Sequence, residues 1–140
     1  MNVLLDTNVL SEVQRPTPDA NVLAWLDSVD EDRVYMSVVS IAELRRGIAL
    51  MDQSRRKSAL TTWLADDLPA RFAGRMLPID HDIATYWGDL MAASRKTGVA
   101  LSTMDAFFAA TALMKNLILA TRNVEDFTAL SLSLHNQWDH

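Results

Sequence analysis

The sequence predicts an α/β fold in which a central parallel sheet of four to five strands carries helices on both faces. Short apolar runs alternate along the chain with longer segments of helical hydrophobic spacing. Strands joined through helices form parallel sheets with right-handed crossovers, so this alternation indicates that class. The chain has 140 residues, of which 49% are hydrophobic. That length and composition fit one domain with a substantial core, and we expect residues 1–140 to form it.

The first half of the chain begins with residues 2–6, whose apolar centre is typical of a short buried strand. Asp6 and the two polar residues after it can cap a helix from about Asn8 to Val13, which two prolines then end. The further elements predicted in this half are a helix over Asp19–Val29, a strand over Val34–Met36, and a helix that begins at Ser37 or Ser40 and runs to about Met51.

In the second half, helical spacing resumes from Ser54 to about Leu68, and Pro69 predicts a break. Residues 75–79 are the predicted third strand, and Pro78 favours the end of that strand or an edge of the sheet. The remaining predicted elements are a helix that Asp80 caps and that ends near Gly98, a helix over Ser102–Lys115, a strand over Leu117–Ala120, and a short fifth strand over Leu132–Leu134.

The composition limits the chemistry that the chain can carry. It contains no cysteine and three scattered histidines, which excludes disulfides and disfavours zinc sites, so a bound metal needs oxygen ligands. The net charge of −5 argues against a basic protein that binds the phosphates of nucleic acids independently of their sequence. A nuclease remains open, because a divalent cation in a carboxylate site inverts the local charge.

The N-terminal segment runs directly from Met1 into the first predicted strand. It has neither a charged leader nor a long apolar stretch, so neither a signal peptide nor a membrane-spanning helix is expected. We therefore expect a cytoplasmic protein without a membrane partner.

Three acidic residues stand where apolar runs give way to helices: Asp6, Glu43 and Asp105. Ligands of open α/β sheets bind at the carboxyl ends of the strands, so one fold can bring these acids together. Carboxylates are the ligands that Mg²⁺ prefers. A structural explanation stays open for each residue, since Ser40-x-x-Glu43 and Ser102-x-x-Asp105 match the capping box and Asp6 can cap a helix.

The acidic positions and their flanking motifs resemble the PIN-domain ribonucleases. The motifs that carry the resemblance are, in order, Leu4-Leu5-Asp6-Thr7-Asn8, the helix of Glu43, Asp105-Ala106 with Ala109-Ala110-Thr111-Ala112, and Thr121-Arg122-Asn123-Val124-Glu125-Asp126-Phe127. Within that family the chain is similar to the VapC toxins of the FitB-like branch, also through Val22-Leu23-Ala24-Trp25-Leu26 and Ala42-Glu43-Leu44-Arg45-Arg46-Gly47. The resemblance implies a Mg²⁺- or Mn²⁺-dependent endoribonuclease that acts as the toxin of a type II toxin–antitoxin pair.

The same resemblance implies that Asp6, Glu43 and Asp105 are the metal-binding and catalytic acids. It also indicates that Thr7, Asn8 and Thr121 bond these acids or the waters of the metal, although helix capping explains them equally well. 

A fourth acid often stands in the family where this chain has Asn123, whose amide oxygen brings no charge. Asp126, three residues further on, is a candidate to compensate. Arg45, Arg46 and Arg122 are the basic residues nearest to the acids in sequence, and we expect them to contact RNA phosphates.

The partners that the resemblance implies are an RNA substrate, a cognate antitoxin, operator DNA bound only through the antitoxin, and a second copy of the chain in a homodimer. The sequence leaves two alternatives to a ribonuclease toxin. A phosphoryl-transfer hydrolase or a receiver-like domain with Asp6 as nucleophile or phosphoacceptor fits poorly. The hydrolase needs a second aspartate where this chain has Asn8, and both classes need a lysine where it has Thr121-Arg122. A catalytically weak binding module that acts through an antitoxin–DNA complex is the alternative that Asn123 supports.

Overall fold

The fold is organised around a five-stranded sheet in which every neighbouring pair of strands is parallel. The structure is a computed structural model that describes residues 2–127, 130, 134–136 and 138. The strands are β1 Val3–Leu5, β2 Val34–Ser37, β3 Met76–Leu77, β4 Ile118–Ala120 and β5 Leu134–His135. Their order across the sheet is β3-β2-β1-β4-β5. The predicted fold class is therefore confirmed.

The central strand β1 shows why helices cover both faces of the sheet. Successive side chains of a strand point to opposite faces. Val3 and Leu5 accordingly pack into one hydrophobic cluster and Leu4 into another, and all three are buried. A strand buried on both faces needs a continuous apolar run instead of an alternating one, and Val3–Leu5 is such a run.

Seven α-helices connect these strands within the described part of the chain. They are α1 Thr7–Val13, α2 Ala20–Ser28, α3 Val38–Ala49, α4 Arg55–Thr62, α5 Leu68–Arg71, α6 His81–Thr97 and α7 Thr103–Lys115. Short 3₁₀ turns lie at Glu31–Arg33 and Val124–Phe127. None of the helices in the described ranges is long and apolar enough to cross a membrane.

The predicted break at Pro69 is wrong. The helical run that begins at Arg55 passes through a π-helical segment, Trp63–Asp67, and continues as α5 through the proline. Pro69 lies in the first turn of α5, where a residue without a backbone N–H is tolerated, so the hydrogen-bond pattern changes while the chain stays helical.

Other predicted boundaries were close to the observed ones. Ser37 caps α3 by accepting a hydrogen bond from the backbone N–H of Val39, so of the two predicted starts Ser37 is the observed one. Pro78 follows β3, which is an edge strand as predicted. Gly98 ends α6 in the left-handed region with a φ of 74°, which favours glycine. Of the predicted fifth strand, Leu134 belongs to β5; its other two positions, Leu132 and Ser133, lie outside the described residues.

The strand order creates a switch point beside β1. The chain runs from β1 through β2 to β3 on one side, and then crosses to β4 and β5 on the other side. Crossover helices leave the sheet in different directions at such a point, which opens a crevice at the carboxyl ends of the two central strands. The crevice of this fold therefore lies where β1 and β4 end.

Candidate functional site

The two central strands place Asp6 next to Thr121 at this crevice. β1 and β4 pair in register from Val3 with Ile118 to Leu5 with Ala120, so the residues that follow both strands are neighbours. The backbone N–H of Asp6 donates to the carbonyl oxygen of Ala120 at 2.9 Å. The hydroxyl of Thr121, which is fully buried, donates to Asp6 Oδ2 at 2.7 Å. Residues 115 positions apart thus form one polar unit.

Asp6 is a helix cap and a site residue at once. Its Oδ1 accepts a hydrogen bond from the backbone N–H of Thr7 at 2.6 Å, which caps α1 as predicted. Its side chain lies in a buried position, and Asn8 Nδ2 approaches Oδ2 at 3.4 Å. Asn8 also accepts a long bond from the backbone N–H of Arg122, at 3.4 Å, and so ties α1 to the end of β4.

Glu43 reaches the same crevice from α3. Thr7 Oγ1 donates to Glu43 Oε1 at 2.7 Å, and Ser40 Oγ lies 2.8 Å from Thr7 Oγ1. A hydroxyl has one proton to donate, so Ser40 is the donor toward Thr7. Ser40 is buried inside α3, so the capping-box explanation for Ser40 and Glu43 is wrong. Ser40 instead donates to the hydroxyl of Thr7, which holds the carboxylate of Glu43.

Asp105 lies in the first turn of α7. Ser102 caps this helix by accepting a hydrogen bond from the backbone N–H of Asp105 at 3.1 Å. The capping explanation is therefore confirmed for Ser102. The carboxylate of Asp105 is partly buried and faces the crevice that Asp6 and Glu43 also line.

The three acids line one cavity of about 450 Å³. The predicted residues that share it are Asp6, Thr7, Asn8, Glu43, Asp105, Arg122 and Asn123. Thr121 lies buried beneath this lining and holds Asp6. Arg45 and Arg46 are exposed on α3 and are not among the residues that line the cavity in the described part of the chain.

Burial and mutual repulsion raise the pKa of two of the acids. Burial is the main cause that raises the pKa of Asp6 to about 6, and the charges of Asp105 and Glu43 add to it. Hydrogen bonds from Thr121 and Thr7 oppose this shift. The pKa of Asp105 is also raised, first by burial. The site thus has an excess of negative charge.

Asp126 acts electrostatically on the same site. Its carboxylate raises the pKa of Asp105, as does that of Glu43, so the negative charge of Asp126 lies close to the crevice. Asn123, the residue that lacks the charge, lines the cavity and donates its backbone N–H to Thr121 Oγ1 at 3.0 Å. The loop after β4 therefore brings an amide to the cavity and a carboxylate beside it.

Four further residues line the cavity that sequence reasoning did not select: Ser11, Glu12, Arg15 and Trp138. Three of them lie at helical spacing from Asn8, which is itself a predicted site residue, so they share one face of α1 and of the turn that continues it. That periodicity is a usable signal. The guanidinium of Arg122 lies 5.1 Å from the ring centroid of Trp138, a cation–π contact for which the sequence gives no signal.

The donor set suits a hard divalent cation. Among the described residues, no three acidic or histidine side chains converge into a preformed metal cage. Mg²⁺ keeps several of its waters and is commonly held by one or two carboxylates, so a closed cage is not required. The oxygen ligands and the raised pKa values of Asp6 and Asp105 both fit a site whose charge a cation would offset.

Comparisons of the sequence with known proteins find a family model and relatives that match over nearly the whole chain. Residues 3–131 match the PIN domain family. The chain is 42% identical to plasmid stability protein StbB of Pseudomonas syringae pv. tomato, over 98% of this chain and 99% of StbB. It is 38% identical to toxin FitB of Neisseria gonorrhoeae, over 97% and 98% of the two chains. It is 36% identical to VapC ribonuclease Y4jK of Sinorhizobium fredii, over 98% of each.

Solved structures give the same result. A chain in the crystal structure of FitAcB from Neisseria gonorrhoeae superposes with a TM-score of 0.91, at 38% identity and over 99% of both chains. A chain in the structure of FitAB bound to an IR36 DNA fragment gives a TM-score of 0.89, at 36% identity and over 97% of this chain and 95% of that one. The chain therefore belongs to the PIN-domain family, on the branch that includes the FitB and VapC proteins.

Proposed function

We propose that this protein is a divalent-metal-dependent endoribonuclease and the toxin of a type II toxin–antitoxin pair. The observation that carries the proposal is the convergence of Asp6, Glu43 and Asp105 on one cavity at the switch point of the sheet. Relatives that match over nearly the whole chain are named toxin FitB and VapC ribonuclease. The names support the activity, and the cavity supplies the residues for it.

We assign the metal-binding role to Asp6, Glu43 and Asp105. When bound, Mg²⁺ or Mn²⁺ would polarise the phosphodiester and make water a better nucleophile at neutral pH. The residues around the acids orient them: Thr121 and Asn8 hold Asp6, and Thr7 holds Glu43. Hydrogen-bonded partners of this kind fix carboxylates in the geometry that a cation requires.

We further propose that Asp126 supplies part of the charge that Asn123 lacks. The support is electrostatic, because the charge of Asp126 raises the pKa of Asp105. Asn123 lines the cavity, and the amide oxygen of an asparagine can bind a cation or one of its waters. The two residues together then replace a single fourth acid.

The proposed partners follow from the relatives and from charge. FitAB has been solved bound to DNA, and we propose that this chain likewise pairs with an antitoxin that carries the DNA-binding surface. The net charge of −5 fits this division of labour, since an acidic chain holds DNA poorly by itself. We also propose that the chain forms a homodimer.

The experiment that tests the activity is cleavage of a mixed cellular RNA pool by the purified protein. Reactions contain Mg²⁺ or Mn²⁺, and controls contain EDTA or the Asp105→Asn variant. Asp66→Asn is the matched control, because Asp66 is an exposed acid that does not line the cavity. We expect discrete cuts with wild type and Asp66→Asn and none with EDTA or Asp105→Asn. A folded, antitoxin-free protein that makes no cuts would instead favour the binding module.

A further inference from the structure

An arginine that the sequence motifs do not select lies in the lining of the carboxylate cavity. Arg15 Nη1 donates to both carboxylate oxygens of Glu12, at 3.2 and 3.3 Å. The side chain of Glu12 is only 4% exposed, whereas that of Arg15 is 61% exposed. Glu12 Oε2 also accepts a hydrogen bond from the backbone N–H of Asp19 at 3.0 Å. The buried carboxylate is therefore fixed, and it holds the arginine in place.

Glu12 has a structural task that does not account for Arg15. Its bond to the backbone of Asp19 ties the end of α1 to the start of α2. The guanidinium of Arg15 uses Nη1 for Glu12, and among the described residues its Nε and Nη2 donate to no protein group. These donors are therefore available to a ligand in the cavity. An arginine that presents free donors along one edge suits the oxygens of a phosphate.

The negative charge of the cavity makes a cationic side chain necessary for RNA binding. Four carboxylates are among the residues that line it: Asp6, Glu12, Glu43 and Asp105. An RNA strand is itself a polyanion, so it needs cationic contacts beside any metal that binds there. Of the described basic side chains, Arg15 and Arg122 line the cavity. Arg45 and Arg46 follow Glu43 on α3, where both are exposed, and they are not among the residues that line the cavity in the described part of the chain.

We propose that Arg15 contacts an RNA phosphate next to the one that is cleaved, and that Glu12 is the positioning residue that orients Arg15. This inference rests on the proposed ribonuclease function. A side chain already held by a buried partner loses little conformational freedom on binding, so the contact is preorganised.

The test uses a single-stranded RNA oligonucleotide drawn from the cellular RNA pool, and it spans a cut site of the wild-type protein where the pool shows one. Arg15→Ala should raise KM about 10-fold, the effect of losing a hydrogen bond to a charged group, and change kcat less than twofold. The slope of log affinity against log salt should fall by about 0.7, the value for one phosphate contact on a single strand. Arg15→Lys keeps the charge without the planar fork, so it should keep the slope and recover part of the KM.

Glu12→Gln tests the positioning role through a double-mutant cycle. This change should raise KM in the wild-type background and have no further effect in Arg15→Ala, because the two residues act as one unit. Arg95→Ala is the matched control, since Arg95 is an exposed arginine in the last turn of α6. It should leave KM and the salt slope unchanged. Thermal unfolding of every variant checks the fold, and Arg15→Lys carries the test if Arg15→Ala does not fold.

The outcomes separate this inference from the proposed function. If wild type cleaves the oligonucleotide and Arg15→Ala does so with the same KM and salt slope, the role of Arg15 is overturned while the ribonuclease stands. If wild type binds the RNA without cleaving it, the ribonuclease is overturned, and the salt slope of Arg15→Ala still decides the role of Arg15. If wild type neither binds nor cleaves the RNA, both are overturned.

Discussion

Asp6 and Asp80 occupy equivalent local positions and have opposite electrostatic surroundings. Each follows a strand of the parallel sheet and caps the next helix: Asp6 accepts from the N–H of Thr7 at 2.6 Å, and Asp80 from that of Ile83 at 2.8 Å. The bond from Ile83 and the ammonium of Lys115 lower the pKa of Asp80. Burial raises the pKa of Asp6 to about 6.

The difference comes from the position of each strand in the sheet. β1, before Asp6, is the central strand at the switch point, whereas β3, before Asp80, is an edge strand. At the edge the carboxylate is accessible to solvent and to Lys115, whose Nζ lies 3.2 Å from Oδ2. At the centre the carboxylate of Asp6 is buried beside other acids, so its charged form is destabilised and its pKa is raised. A capping aspartate whose charged form is destabilised in this way indicates a functional site. One whose pKa is not raised indicates a purely structural role.

The largest expected effect is on activity. Asp6→Asn should lower RNA cleavage by at least about 100-fold, because a carboxylate of the proposed metal site affects the reaction at least as strongly as its supporting shell does. Asp80→Asn should cleave RNA at a rate within about twofold of wild type, since its side chain caps a helix outside the cavity and asparagine caps as well as aspartate. The measurement is the initial rate of cleavage in saturating Mg²⁺. Equal losses in both variants would remove the functional contrast.

The next effect concerns the partner that holds Asp6. Thr121→Val keeps the shape of the side chain and removes the hydroxyl that donates to Asp6 Oδ2. That bond lowers the pKa of Asp6, so its loss should raise the pKa further and weaken Mg²⁺ binding by about 10-fold, in the range measured for supporting residues of metal sites. We would titrate Mg²⁺ and follow the cleavage rate.

Thr111→Val is the matched control for this substitution. Thr111 is also fully buried, and its hydroxyl donates to the backbone carbonyl of Phe107 at 2.7 Å instead of to a carboxylate of the cavity. It should leave the Mg²⁺ requirement unchanged. If the two valine variants needed the same concentration of Mg²⁺, Thr121 would have only a packing role.

A smaller effect concerns the stability of the metal-free protein. The pKa of Asp6 rises from 3.8 to about 6 on folding, so the folded state holds this proton more tightly than the unfolded state. Stability from this group is complete below about pH 4 and is lost as the pH rises through 6, by about 3 kcal/mol at roughly 1.36 kcal/mol per pKa unit.

Asp6→Asn should therefore be more stable than wild type at pH 7. We expect a gain of about 1–2 kcal/mol, because the amide cannot keep every hydrogen bond of the carboxylate and some of the stabilisation is lost. The gain should disappear near pH 4. Urea denaturation at both pH values in EDTA measures it. A variant less stable than wild type at pH 7 would contradict the destabilisation that we assign to the charged form of Asp6.

The contrast between the two aspartates also shows what the sequence can predict. Both capping roles follow from a polar residue after an apolar run, and both were predicted. The bond between Asp6 and Thr121 was not predictable from local pattern, because it depends on β4 pairing beside β1 after the chain has crossed the sheet. The hydrophobic pattern predicts the helices and strands, whereas the order of the strands in the sheet determines which strand ends become neighbours. The sequence pattern left a capping role open for each of the three acids, and it was the resemblance to a family that predicted one shared site for them.

The choice of arginines shows a second limit of the sequence analysis. Arg45 and Arg46 were selected because they lie near Glu43 in sequence, yet the structure leaves both outside the cavity lining. Arg15 is nine positions from Asp6 and lines the cavity, because it extends the face of α1 that carries Asn8. Helical direction therefore matters more than separation along the chain. The RNA contacts of Arg45 and Arg46 remain a prediction.

The smallest expected effect belongs to Asp80, and its pH dependence should have the opposite sign. The pKa of this exposed carboxyl is lowered, so its contribution to stability is present above its unfolded pKa and is lost as the pH falls. Asp80→Asn keeps the cap but loses the ion pair with Lys115, so its melting temperature should be slightly below that of wild type at pH 7 and equal to it near pH 2. Thermal melts at low ionic strength measure the difference, which 1 M salt should remove because the pair is screened. Asp6→Asn should gain stability over wild type as the pH rises, and Asp80→Asn should lose it. If the two variants changed in the same direction, the position of the strand would no longer explain the behaviour of the aspartate that follows it.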